Sequence, residues 1–299
     1  MTHVLTLISA HESASVTSEL VARALEILPD AQTPIWLAPD EACDINFAPG
    51  PESDLSFLES TIRKATRNKP LDICILRAEQ RRKKLLIADM DSTIIEQECI
   101  DEIGDFAGLK TKISSITERA MRGELAFDSA LRERVALLAG LDENVLDQVI
   151  AERITLMPGA KTLVQTMKKN GAYCALVSGG FSFFTSRIAA MTGFDINQAN
   201  RLEISNGKLS GLVSNPILGR DAKLRALEQY RQNKSLSLSD TLAVGDGAND
   251  LAMIGRAGLG VAYHAKPVVA AQADVRIDHG DLTALLFAQG YTKDEFVAG

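Results

Sequence analysis

Four short stretches carry residue types whose spacing could do nucleophilic, acid–base or metal-binding chemistry on an anion. The first is DMDST, Asp89 to Thr93, directly after the apolar run LLIA. It sets two carboxylates two residues apart, where one could act as nucleophile or metal ligand and the other as acid and base. The second is VSGGF, residues 177–181, which offers the Ser178 hydroxyl, then Gly179 and Gly180, whose missing Cβ atoms allow close backbone approach to an anion. The third is Lys223 in RDAKLRALEQY, a cation on a helical stretch. The fourth is GDGAND, residues 245–250, where Asp246 ends another apolar run and Asn249 and Asp250 open the next helix. Carboxylates converging from separate strand ends repel one another unless a cation sits between them, and an oxygen-only donor set favours Mg²⁺. His3, His11, His264 and His279 are scattered, which argues against zinc.

These residues need a frame that brings them to one edge. Strand-like runs LLIAD (85–89), YCALVSG (173–179), TLAVGD (241–246), LGVAY (259–263) and DVRI (274–277) lack period-2 alternation and alternate with helical stretches near 159–170, 181–192 and 220–233. That is the pattern of a parallel α/β sheet buried on both faces, and ligand sites of such sheets lie at the carboxyl ends of the strands. A long helical insertion over about 97–155 separates the first two motif strands, and Asn206-Gly207 marks a hairpin. Ahead of this unit, residues 3–9, a helix in SVTSELVARALEIL, strands at 35–38 and 44–48, a helix at 54–66 and a strand at 71–76 read β-α-β-β-α-β. That order is the split βαβ pattern of ferredoxin-like modules. The basic run Arg81 to Lys84 reads as a solvated linker, so the expected organisation is an α+β module over 1–80 and an α/β unit over 81–299.

With the four motifs in order on successive strand-to-helix junctions or helices of one domain, the chain resembles the haloacid dehalogenase (HAD) superfamily of phosphohydrolases. Within it, IIEQECIDEIGDFAG and ERAMRGELAFDSALRERVALL make it similar to the phosphoserine phosphatases over about residues 81–290. The resemblance implies a Rossmann-like core with a helical cap. It also implies that Asp89 becomes an aspartyl-phosphate and that Asp91 protonates the leaving oxygen and then activates water. The Mg²⁺ ligands would be Asp89, the backbone carbonyl of Asp91 and Asp246, with Asp250 supporting that shell. Ser178, the Gly179 N–H and Lys223 would hold the phosphoryl oxygens, and Asn249 would contact the substrate or phosphate. The implied reaction is hydrolysis of O-phosphoserine to serine and phosphate, the last step of serine synthesis.

Substrate choice must come from the cap, because an amino-acid head group needs one cation and one anion in a dry pocket. Asp128 is a candidate N-cap for a helix whose stripe is Leu131, Val135 and Leu138. At 100° per residue Arg134 lies about 60–70° from the stripe's centre and Arg132 about 90° away on the other side, so Arg134 is the better carboxylate clamp. The family pattern also points to Arg134. Periodicity leaves Glu96 and Glu98 open as the ammonium partner; the family pattern implies Glu98. Met121 and Phe127 would form an apolar lid by resemblance, or simply fill the cap core.

The first 80 residues resemble the ACT-type modules of some relatives by element order, although the loop SAHESAS lacks a glycine-rich ligand turn. A homodimer contact, regulation by serine and a purely structural role all stand open. Net charge −7 and a pI near 5.3 exclude a phosphate-coating surface, so no nucleic-acid partner is expected. No run reaches the length of a membrane span, the N-terminus lacks a basic n-region, and Cys43, Cys74, Cys99 and Cys174 form no CxxC pair. A cytoplasmic location without membrane contact is the expectation. Two rival functions remain: transfer of the phosphoryl group to another small alcohol such as homoserine, and a noncatalytic amino-acid sensor.

Overall fold

The computed structural model describes residues 2–10, 13–51, 53–66, 69–121 and 124–298, with the side chains of Met121 and Arg220 outside that set. The lid expectation for Met121 therefore lies outside the described residues.

The N-terminal elements are β1 (His3–Ser9), α1 (Ser18–Ile27), β2 (Ile35–Ala38), β3 (Ala42–Phe47), α2 (Leu55–Ala65) and β4 (Leu71–Arg77). Thr17 Oγ1 caps α1 and Asp54 Oδ1 caps α2. The four strands form an antiparallel sheet in the order β2-β3-β1-β4. Strand periodicity divides its faces: Leu5 and Leu7 pack with Leu20, Val21 and Ile62 of the two helices, whereas Ile8 packs with the second unit.

Then follow β5 (Leu85–Ala88), α3 (Cys99–Phe106), α4 (Lys110–Met121), α5 (Phe127–Ala136), α6 (Asn144–Arg153), α7 (Ala160–Lys169), β6 (Tyr173–Phe181), α8 (Ser182–Thr192), β7 (Ile196–Asn200), β8 (Leu202–Ser205), β9 (Lys208–Val213) and α9 (Arg220–Asn233). The chain closes with β10 (Thr241–Gly245), α10 (Leu251–Ile254), β11 (Leu259–Tyr263), α11 (Pro267–Ala270), β12 (Val275–Ile277) and α12 (Ala284–Ala288). Six of these strands form a parallel sheet in the order β12-β11-β10-β5-β6-β7. Leu86 and Ala88 belong to the core on one face and Leu85 and Ile87 to the core on the other, which is why β5 is apolar throughout. The chain runs outward from β5 through β6 and β7, then returns to build β10, β11 and β12 on the other side. The point where strand order reverses lies between β5 and β10, and crevices at such points take ligands.

Helices α3 to α6 form the insertion between β5 and β6. Its two crossings are held together by the antiparallel bridge Ile95↔Leu156 and the bonds Glu96 N to Thr155 O (3.1 Å) and Met157 N to Ile94 O (2.9 Å). The stripe Leu131, Val135 and Leu138 is buried. Helix α5 begins two residues earlier than expected, with Ala126 rather than Asp128 at the N-cap; Asp128 sits in the first turn, where a negative charge favours the helix dipole.

The basic run is only half solvated: Arg82 and Lys84 are exposed, whereas Arg81 and Lys83 are not. Arg81 donates to Asp44 (2.5 Å), to Thr6 Oγ1 (2.9 Å) and to the carbonyls of Phe287 (3.3 Å) and Ala288 (3.0 Å). Lys83 is buried and donates to the carbonyls of Gln80 (2.9 Å) and Ser239 (2.8 Å). Docking of the antiparallel sheet on the second unit turns these cations into seam residues. Asp72 adds to the same seam by accepting the N–H groups of Asp278 (2.8 Å), His279 (3.2 Å) and Gly280 (2.6 Å).

Candidate active site

Strands β5, β6 and β10 are adjacent, so their carboxyl-terminal ends bring Asp89, Ser178 and Asp246 to one crevice. Asp89, Asp91, Glu98, Arg134, Ser178, Gly179, Asp246 and Asn249 all line a single cavity of about 460 Å³. Lys223 and Asp250 lie beneath it, both buried. The Lys223 ammonium sits 2.7 Å from Asp89 Oδ1 and 2.6 Å from Asp250 Oδ1. Asp89 Oδ1 also accepts the Met90 N–H at 2.7 Å, and Asp250 Oδ2 accepts the Gly247 N–H at 3.1 Å. A Cβ at Gly245 would collide with the Asp250 carboxyl, so glycine is required where that side chain folds over the strand end.

Burial works against the charge of Lys223, but the Asp250 and Asp89 carboxylates outweigh it and raise its pKa. It is therefore a fixed cation next to Asp89. Asp91 behaves differently: burial first, then the charges of Glu98 and Asp89, push its carboxyl up to about 7. Its Oδ1 accepts the Cys99 N–H at 3.0 Å and its Oδ2 faces Ser178 Oγ at 3.3 Å. A carboxylate paired with lysine beside a carboxyl raised to about 7 is an arrangement that could serve as nucleophile and as general acid and base within one turn. Ser178 Oγ in turn accepts the Gly180 N–H at 2.8 Å, which shapes the glycine turn.

The cap supplies the other wall. Helix α3 starts at Cys99, which leaves Glu98 at the cap position facing the cavity, its Oε1 accepting Ser92 Oγ at 2.8 Å. Glu96 points elsewhere and accepts Thr155 Oγ1 at 2.9 Å, so helix position separates the two candidates that periodicity left open. Arg134 faces the cavity, donating to Ala130 O (3.3 Å) and Thr117 Oγ1 (3.4 Å). Burial lowers its pKa, opposed by Asp101, Glu98 and Asp91. Arg132 instead donates to Asn215 Oδ1 at 2.6 Å on the exposed side. Phe127 lines the same cavity.

Asp101, Thr117 and Lys266 also line it and were missed from sequence. Asp101 lies one helical turn after Glu98, and its buried Oδ1 has no hydrogen-bond partner among the described residues. Lys266 follows the end of β11, so the strand-end rule that located Asp246 could have located it too.

The Mg²⁺ expectation can be tested on the donor set. Oxygens of Asp89, Asp246 and Asp250 lie within 4.8 Å of one another. Burial and the charge of Asp89 push Asp246 and Asp250 up to about 7, a repulsion that a divalent cation would relieve. The set contains oxygen donors only and fits Mg²⁺. Both oxygens of Asp250 are engaged by Lys223 and Gly247, which suits a supporting place, and the side chain of Asp91 is engaged by Cys99 and Ser178, leaving its carbonyl as the group it could offer.

The haloacid dehalogenase-like hydrolase family model matches residues 86–255, which contain all four motifs. The chain belongs to the haloacid dehalogenase-like hydrolases. The relatives of this hydrolase include a phosphoserine phosphatase of Streptomyces coelicolor, 43% identical over 76% of the chain and 56% of that protein. The chain thus spans a little over half the length of that relative. Among solved structures, a HAD family hydrolase from Salmonella enterica superposes with TM-score 0.82 at 28% identity, covering 98% of this chain and 99% of that one. A probable phosphoserine phosphatase from Vibrio cholerae superposes with TM-score 0.76 at 31% identity, covering 98% and 88%.

Proposed function

We propose that this hydrolase is a Mg²⁺-dependent phosphatase that converts O-phosphoserine to serine and inorganic phosphate, the last step of serine synthesis. The observation that carries the reading is one cavity with a phosphoryl end, Asp89, Asp91, Ser178 and Gly179 over Lys223, and an amino-acid end, Glu98 and Arg134. The names of the S. coelicolor and V. cholerae relatives support it.

Arg134 binds the substrate carboxylate and Glu98 its ammonium group, which orients the phosphoryl group toward Asp89. Lys223, Ser178 Oγ and the Gly179 N–H hold phosphoryl oxygens, with Asn249 beside them. An oxygen of Asp89 attacks phosphorus, the bond from phosphorus to the seryl oxygen breaks, and Asp91 gives its proton to that oxygen. Water then attacks the aspartyl-phosphate while Asp91 takes its proton, which releases phosphate and regenerates the Asp89 carboxylate. Mg²⁺, held by the carboxylates of Asp89 and Asp246 and the carbonyl of Asp91 with support from Asp250, would neutralise charge between nucleophile and phosphate.

Residues 1–80 are proposed as an ACT-like module and 81–299 as the phosphatase unit with its cap at about 97–155. The exposed Ile35 and Trp36 on edge strand β2 support a homodimer through the first module. Sedimentation of Trp36→Glu tests that contact, with an unchanged oligomer counting against it. Four buried free cysteines support a reducing, cytoplasmic setting.

The functional test is phosphate release from phosphoserine, phosphothreonine and small sugar phosphates, with Mg²⁺ and after chelation, with and without homoserine as acceptor. Selective hydrolysis of phosphoserine that requires metal and is abolished in Asp89→Asn is expected. Absence of phosphate release from phosphoserine at saturating Mg²⁺, or wild-type turnover by Asp89→Asn, overturns the reading.

A further inference from the structure

We infer that Asn200, which does not itself line the cavity, is a positioning residue that sets the spacing between the Gly179 turn and the Lys223 helix. The inference rests on the phosphatase reading for the roles of those two groups. Asn200 ends β7, the edge strand next to β6, and is 2% exposed. Its Nδ2 donates to Gly179 O at 2.8 Å and to Leu218 O at 3.2 Å, and its Oδ1 accepts the Leu218 N–H at 2.7 Å. This assignment is the one the chemistry allows, because two carbonyls need the NH₂ group and the amide needs the oxygen.

The bonds join two segments that no ladder connects. Gly179 lies where the pairing of β6 with β7 shifts register between Val177 and Phe181. Residues 214–219 have no regular structure, and α9 begins at Arg220 with no side-chain cap. Leu218 is thus held at both its N–H and its carbonyl by one side chain, one turn before Lys223 comes to bear on Asp89. The cap rests on the same two segments: a Cβ at Gly179 would lie 3.1 Å from Phe127 Cζ and one at Gly219 3.3 Å from Phe127 Cδ1. Asn200 therefore spaces two donors to the phosphoryl group and the two ledges that receive Phe127. A displacement of about 1 Å between such groups costs on the order of 10²-fold in rate.

The test uses the full-length protein with Asn200→Asp, which keeps the acceptor for Leu218 N–H but loses both donor bonds, and with Asn200→Ala, which loses all three. Circular dichroism and thermal melts establish folding. Turnover of phosphoserine and p-nitrophenyl phosphate, and binding of orthovanadate and of serine, are then measured. Positioning predicts that kcat falls about 10- to 100-fold on both substrates and that vanadate binding weakens by a similar factor, with serine binding unchanged. Equal loss of vanadate and serine binding, no loss of either, or unfolding of both variants overturns the inference, since each marks Asn200 as structural only or dispensable. If the wild type releases no phosphate from phosphoserine, the functional reading fails, while p-nitrophenyl phosphate and vanadate still decide the role of Asn200.

Discussion

Replacing Lys223 with methionine isolates the charge at the centre of the site. Its side chain is 3% exposed and its ammonium lies 2.7 Å from Asp89 and 2.6 Å from Asp250. Removing one partner of a buried ion pair costs about 3–5 kcal/mol, because an uncompensated charge is left behind. Here the carboxyls can relieve that cost by taking up protons, so the low end, about 3 kcal/mol, is expected at pH 8. For a chain of this size that is a fall in Tm of about 6–12 °C. The pH dependence has a definite sign. Loss of the cation removes the charge that holds the Asp250 carboxyl down, so its raised folded pKa rises further, and an acid with a raised folded pKa contributes stability below its unfolded pKa that is lost as pH rises through the folded value. The gap between wild type and variant should therefore be small at pH 5 and widen toward pH 8. Urea unfolding at both pH values measures it, and phosphate release should fall about 10²- to 10³-fold, the loss seen on removing one donor to a developing charge. A variant within about 0.5 kcal/mol of wild type at pH 8 would refute the view that Lys223 holds two buried carboxylates together.

Arg134→Ala should lower kcat/KM for phosphoserine about 10- to 100-fold, the scale of one charged hydrogen bond, and leave p-nitrophenyl phosphate unaffected; an equal loss on both would remove Arg134 from head-group recognition. Because Asp246 and Asp250 lie near about 7 without metal, Mg²⁺ must displace protons. Its dissociation constant should rise as pH falls below 7, by up to about tenfold per unit for each proton released. Calorimetry in buffers of different ionisation heat reads that release, and a constant affinity from pH 8 to 5.5 contradicts it. Asp72→Asn removes the charged acceptor of three backbone amides at the seam and should cost about 1–3 kcal/mol. Hydrogen exchange at residues 278–280 should speed up before the cap is affected.

The motif residues were legible because chemistry and strand ends coincide in the chain: each of DMDST, VSGG and GDGAND follows an apolar run, and the parallel sheet delivers those runs side by side. Element positions were legible for the same reason. Strand β7 was not, since its sequence INQAN carries one aliphatic residue of strand type and owes its extended form to pairing with β6. Asn200 was hidden with it. In the basic run at 81–84, Arg81 and Lys83 were misread because charge alone does not tell whether carbonyls of a distant segment lie within reach of a side chain, as those of Phe287 and Ala288 do for Arg81.

What the sequence determined by itself is local: which residues can ionise, which runs must be buried, and where each strand ends. From these follow the parallel sheet, the helical insertion and the set of carboxylates, lysine, serine and glycines on offer. What only the tertiary structure decided is which of these groups share a dielectric environment and a few ångströms of space. Glu96 and Glu98 are alike in the chain, and the start of α3 turns only Glu98 into the cavity. Asp89 and Asp91 are alike in the chain, yet Lys223 reaches Asp89, while burial beside Glu98 and Asp89 raises Asp91 to about 7. Electrostatic energy depends on distance and burial, and residues far apart in the sequence acquire both only when the sheet closes.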